Sequence, residues 1–204
     1  MSITFRSRAL RATLAALVLS ISLTGCMTAK FYVDPALPTV AREDLTPAAS
    51  PQPVQLLSEF RTQGNANPRA STELRLRAMA AANASGLFSQ VGYTPAAGGA
   101  QLRVIVDNVP LTKNLVARGV ASGMTLGLAG TLVTDGYNAT VSYTANGKTT
   151  EAKITHAVHT TVGNKAGPAG AKPMSVQAAS QQMMDQIVWN GLKQLSEQRA
   201  FDAD

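Results

Sequence analysis

The pair Asn146-Gly147 constrains this chain more than any other feature. Asn-Gly between two alternating runs is the strongest short-range signal for a two-residue hairpin, because a type I′ turn needs positive φ at both central positions. The flanking runs, Tyr137–Ala145 and Lys148–Thr160, alternate apolar and polar residues. A two-residue turn then fixes the pairing: Tyr143 opposite Thr150, Val141 opposite Ala152, Ala139 opposite Ile154 and Tyr137 opposite His156. One face of this hairpin is largely apolar, and the other carries Thr140, Ser142, Glu151 and Lys153.

The remaining elements follow from periodicity and punctuation. Val54–Phe60 reads as the first strand, and Gly64–Pro68 as a loop. A helix follows from about Ser71 to Ser85, with Ser71 as N-cap, Glu73 in the first turn and Gly86 as C-cap. Leu74, Ala78, Ala81, Ala82 and Ser85 trace its buried stripe, with Arg75 and Arg77 off it. Phe88–Tyr93 is a short strand, Pro95–Ala100 a turn, and Gln101–Val109 a strand with Leu102, Val104 and Val106 on one face. After the hairpin, Gly163–Pro173 is a loop. Ser175 to about Glu197 is the final helix, with Val176, Met183, Met184, Ile187, Val188, Leu192 and Leu195 at helical spacing. The expected fold class is α+β: a small mixed or antiparallel sheet packed by two helices, in the order β-α-β-β, a Gly-rich stretch, then β-β-α.

The amino-terminal residues carry a different signal. Arg6, Arg8 and Arg11 precede the uncharged run Ala12–Leu23, which is too short to span a bilayer and reads as a secretory signal. It ends in Leu23-Thr24-Gly25-Cys26, and Cys26 is the single cysteine. This motif resembles the lipobox of bacterial lipoprotein precursors. The resemblance implies cleavage between Gly25 and Cys26, a diacylglycerol on the Cys26 sulfur, and an acylated new amine. Met27, where Asp would signal inner-membrane retention, implies the outer membrane, facing the periplasm. The expected parts are therefore a signal peptide (1–25), a lipidated Cys and Pro-rich tether (26–53), and one α+β periplasmic domain (54–204). At about 3.1 Å per residue in an extended proline-rich conformation, such a tether would hold the domain well off the membrane. Phe31-Tyr32-Val33 interrupts it, either as interface-seeking aromatics or as a patch packing back on the domain.

Cleavage leaves 179 of the 204 residues, enough for one core. Three of the 18 Lys and Arg and none of the 12 acids lie in the signal segment, so the remaining charge is +3. That does not indicate a nucleic-acid partner. With Cys26 acylated no thiol remains, so the fold stands on packing. The implied attachments are the membrane, through acyl chains, and an envelope protein; the lipid is the only prosthetic group expected.

Catalytic patterns are sparse. His156 and His159 are three apart on one strand, so they point to opposite faces and cannot chelate one metal. His156 reads as a core-edge residue bonded to a neighbour. No Gly-x-Ser-x-Gly elbow and no phosphate-binding loop occurs. The chain is read as a non-enzyme, with a hydrolase assembled from distant loops as the rival.

One stretch stands out: Gly119 to Val133 holds Gly119, Gly123, Gly127 and Gly130, and no charge falls between Arg118 and Asp135. Glycines four apart suit a small-residue packing face, which would make the chain a self-assembling lipoprotein. The preferred alternative is a buried crossover, with Met124, Leu126, Leu128 and Leu132 filling the core. The β-α-β-β order behind a lipobox also resembles the small periplasmic modules of the TolB amino-terminal domain, LpoB and CsgG. The Ser85–Phe88 exit and the glycine run are similar to uncharacterised proteobacterial lipoproteins. These resemblances imply a non-catalytic, protein-binding or assembling part of an envelope machine; CsgG-like logic would make it pore- or secretion-related.

Overall fold

Residues 29–111 and 130–202 are described in this computed structural model. Among them the chain runs β1 (Ala29–Val33), β2 (Gln52–Thr62), β3 (Asn65–Ala66), α1 (Pro68–Ser85), β4 (Phe88–Gly92), β5 (Gln101–Pro110), β6 (Thr131–Ala145), β7 (Lys148–Val162) and α2 (Val176–Glu197). The seven strands form one mixed sheet in the order β1-β7-β6-β5-β2-β3, with β4 beside β2. β2 is parallel to β4 and β5; the other pairs are antiparallel. The fold class is the α+β arrangement expected. Gly25, Cys26, Gly119, Gly123 and Gly127 lie outside the described residues.

The hairpin register is the one that the turn dictates. Tyr143 pairs with Thr150, Val141 with Ala152, Ala139 with Ile154 and Tyr137 with His156. Asn146 and Gly147 have φ of 51° and 75°, as a type I′ turn requires. Both strands are longer than expected, at 15 residues each. Leu102, Val104, Val106, Val141, Ala152 and Ile154 share one face of the sheet and one core with the buried stripes of both helices. Both helices therefore cover that face. The opposite face exposes Arg103, Asn138, Glu151, Lys153 and Thr155.

Both helices form for the expected reasons, with shifted starts. In α1, Asn67 is the N-cap, its Oδ1 accepting from Ala70 N–H at 3.1 Å, and Pro68 is the first helical residue. Proline suits that place because its missing N–H would have had no helical partner. Ser71, the expected cap, instead accepts from Phe60 N–H at 2.9 Å and donates to the Asn67 carbonyl at 2.8 Å. Gly86 closes the helix at φ 73°, and the five stripe residues are buried as expected. In α2, Ser175 caps the Ala178 N–H. Val176 is the exception in its stripe, 59% exposed, because the buried face begins only at Ala179.

The tether expectation fails over residues 29–53, which belong to the folded domain. β1 pairs with β7, placing Tyr32 against His159 and Val33 against Val158. Phe31 and Met174 exchange backbone hydrogen bonds on the other side of β1. Tyr32, Val33, Val40 and Leu45 are buried. A 3₁₀ turn covers Arg42–Asp44. Further on, Thr46 N–H donates to Ser196 Oγ at 3.1 Å and Ala49 N–H to Asp202 Oδ1 at 3.0 Å. Prolines keep a long helix from forming here, but they do not stop the apolar residues between them from covering the core. The Phe31–Val33 patch packs back on the domain.

The glycine stretch is described only at its end. Thr131, Leu132 and Val133 open β6, and Leu132 is half-buried rather than core. Gly130 has φ 62°, and a Cβ there would meet Lys165 N at 2.6 Å and the Val162 carbonyl at 2.9 Å. That glycine is required by a close approach within its own chain.

Candidate functional site

β7 places its histidines on opposite faces of the sheet, as period-two geometry demands. His156 faces the helices. Its Nε2 lies 2.8 Å from Gln186 Oε1, and Gln186 Nε2 reaches Thr39 Oγ1 at 3.4 Å. One turn along α2, Asn190 Nδ2 donates to the Pro38 and Gln186 carbonyls, each at 2.8 Å. His156, Gln186 and Asn190 are buried. Burial pushes the His156 pKa down and His159 adds to this, outweighing the Gln186 bond and the Asp34 charge. A neutral imidazole donating from Nε2 satisfies the Gln186 oxygen and leaves its amide to donate to Thr39. The network clamps the Thr39 segment onto α2 and β7, which is the core-edge role expected of His156.

His159 lies on the other face, in series with a hydroxyl and a carboxylate. Its Nδ1 is 2.9 Å from Thr134 Oγ1 and its Nε2 is 3.2 Å from Asp34 Oδ2. Asp34 follows β1 directly. Its Oδ1 accepts from Ala36 N–H at 2.8 Å and its own N–H donates to the Ala157 carbonyl at 3.0 Å. Burial alone would raise the Asp34 carboxyl, but the Ala36 N–H, the His159 bond and the charges of both histidines outweigh it, and the net shift is downward. A hydroxyl, an imidazole and a carboxylate in series have the connectivity of a nucleophile, its base and an orienting acid. They also staple the start of β6, the end of β7 and the exit of β1 together.

Two cavities flank these groups. One of about 400 Å³ is lined by Asp34, Leu37, Leu111, Thr155, His156 and Ala157. Another of about 320 Å³ lies between the Val33–Thr39 segment and Lys172, Met174, Gln182 and Gln186. A third, about 410 Å³, opens at the far end of the sheet beside the hairpin turn, between Gln52, Tyr143, Lys148, Arg199, Phe201 and Asp202. Its floor is aromatic: the Phe201 ring is 5.0 Å from Tyr143 and 5.1 Å from Phe88. Burial raises the Tyr143 pKa. All three fall in the size range of small-ligand sites. Among the described residues no group of three His, Cys, Asp or Glu is placed to hold a metal, and no helix is long and apolar enough to cross a membrane.

The structure thus brings His159 to Asp34 and Thr134 and keeps it apart from His156. Sequence reasoning missed Asp34 by assigning it to the tether. The available signal was Phe31-Tyr32-Val33, a strand-forming triplet directly before Asp34-Pro35.

No family model and no curated protein matches the chain. Among solved structures it is similar to a single-substitution form of the PelC dodecamer from Paraburkholderia phytofirmans, at 15% identity over 81% of this chain and 98% of that chain, with a TM-score of 0.33. A second PelC dodecamer structure from the same organism matches at 13% identity over 81% and 98%, TM-score 0.30. An uncharacterized protein matches at 11% identity over 76% and 94%, TM-score 0.28. Likenesses this distant carry no argument.

Proposed function

We propose that this chain is a lipoprotein, anchored through acyl chains on Cys26 to the periplasmic face of the outer membrane, whose domain binds or scaffolds an envelope protein complex without catalysing a reaction. The observation that carries the reading is Leu23-Thr24-Gly25-Cys26, closing a basic head and an apolar run around the single cysteine. Two or three acyl chains on one residue give lasting attachment where one chain would be marginal, at about 0.8 kcal/mol per buried methylene. Support for a binding role comes from how the polar residues are employed. His156, Gln186 and Asn190 form a chain of hydrogen bonds that holds Pro38 and Thr39 in place, while the Tyr143–Phe201 cleft lies at the end of the sheet opposite Ala29. Blocking lipoprotein signal peptidase with globomycin should accumulate the uncleaved, lipidated precursor. Cys26→Ala should abolish acyl labelling and release the domain. Membrane retention of unlipidated Cys26→Ala protein would refute the anchor. Crosslinking in the native envelope then identifies the partner.

A hydrolase is the second reading, and the Thr134–His159–Asp34 series favours it. A hydroxyl-reactive phosphonate separates the two. Stoichiometric labelling of Thr134, lost in His159→Ala while the variant still melts cooperatively, would establish the hydrolase. No labelling of the folded protein keeps the binding reading.

A further inference from the structure

We infer that the end of the sheet carrying Ala29, Val162 and Thr131 lies against the phospholipid bilayer, so that the Asn146-Gly147 hairpin and the Tyr143–Phe201 cleft project away from it. This rests on the lipid anchor proposed for Cys26. Ala29 is the first residue of β1 and pairs with Val162, which on its other side pairs with Thr131. These three residues form one row across the sheet. Only three Cα–Cα steps separate Cys26 from Ala29, so the anchor is at most about 11 Å from this row even when fully extended. A folded strand that close to an acylated residue leaves no room for a spacer and fixes which end of the domain meets the headgroups.

Charge agrees with the placement. The strips that build this end, residues 29–33, 130–134 and 158–176, contain Lys30, Lys165 and Lys172, and the first carboxylates beyond them, Asp34 and Asp135, lie four or five residues along their strands from the row, Asp34 engaged by His159. All three lysines are exposed, and Lys165 sits against Gly130 at the row itself. A basic rim beside anionic phosphates adds attraction within a Debye length of the surface, about 10 Å at 0.1 M salt. α2 starts at this end, through the Phe31–Met174 pairing, and finishes at the other, where Phe201 meets Tyr143. β6 and β7 run the same course over 15 residues each, which at about 3.3 Å per residue separates the two ends by roughly 45 Å.

The acylated full-length protein in phosphatidylethanolamine/phosphatidylglycerol vesicles tests this directly. Because Cys26 is the only cysteine and is consumed by the lipid, an introduced thiol is unique. A fluorophore on Asn164→Cys, beside the basal row, is compared with one on Thr149→Cys, beside the hairpin turn, in vesicles containing brominated lipid. The expected result is loss of most emission at position 164 and none at position 149. Joint reversal of Lys30, Lys165 and Lys172 to Glu should weaken the quenching at 164 without releasing the protein. Vesicle-bound protein quenched equally at both positions, or only at 149, overturns the orientation and leaves the anchor standing. Protein that does not float with vesicles overturns the anchor and the orientation together.

Discussion

Gly191 lies inside α2, where a glycine ordinarily weakens a helix by about 1 kcal/mol relative to alanine. Its environment reverses the sign expected for Gly191→Ala. An ideal Cβ at 191 would fall 2.7 Å from Val141 Cβ and closer still to its Cγ2. Val141 is fully buried in β6, flanked by Val104 on β5 and Ala152 on β7. A β-branched side chain has little rotamer freedom, and a strand paired on both sides cannot move aside. Either the helix lifts off the sheet or the valine leaves its rotamer, at about 1–3 kcal/mol for overpacking. Setting the propensity gain of about 1 kcal/mol against that leaves a net destabilisation of up to about 2 kcal/mol. For a domain of this size that lowers Tm by up to roughly 8 °C. Thermal and urea denaturation of the chain from residue 27 would measure it. Adding Val141→Ala should recover part of the loss, so the two changes are coupled by about 1 kcal/mol, beyond the error of additivity for independent sites. Gly191→Ala melting at or above the parent temperature, or strict additivity with Val141→Ala, would refute the close-approach argument.

Leu45→Ala tests whether the proline-rich segment is structural: the side chain is buried in the core, so truncation should cost about 2–5 kcal/mol, read as a urea midpoint shift, whereas a free tether would show no change. Gly147→Val should destabilise by about 1 kcal/mol or more through strain alone, since φ there is 75° and open space surrounds the position; an unchanged Tm would mean the turn tolerates a β-branched residue. His156 has a pKa below its ordinary value because it is buried, so the unfolded chain binds that proton more readily. Its contribution is fully present above the unfolded pKa of about 6.5 and is lost as pH falls through the folded value. The urea midpoint should therefore drop between about pH 7.5 and pH 5, and more gently in His156→Gln, which cannot titrate; equal slopes would assign the pH dependence elsewhere.

Local chemistry was sufficient wherever a short stretch of chain determines its own geometry. Asn146-Gly147 set a turn, the turn set a register, and alternation agreed with it, so four residue pairs were legible before any tertiary contact. The α1 stripe from Leu74 to Ser85 followed from spacing and the Gly86 cap in the same way. What escaped the sequence depends on partners far along the chain. Residues 29–53 look solvated by composition, and contacts with β7, Met174, Gln186, Asn190, Ser196 and Asp202 turn them into a strand and a strap. Asp34 meets His159 across 125 positions, a proximity no local spacing encodes. Gly191 looks like an unfavourable helix residue until Val141 is seen beneath it. Propensity and periodicity act over a few residues, whereas close packing and hydrogen-bond satisfaction act between whichever surfaces folding brings together.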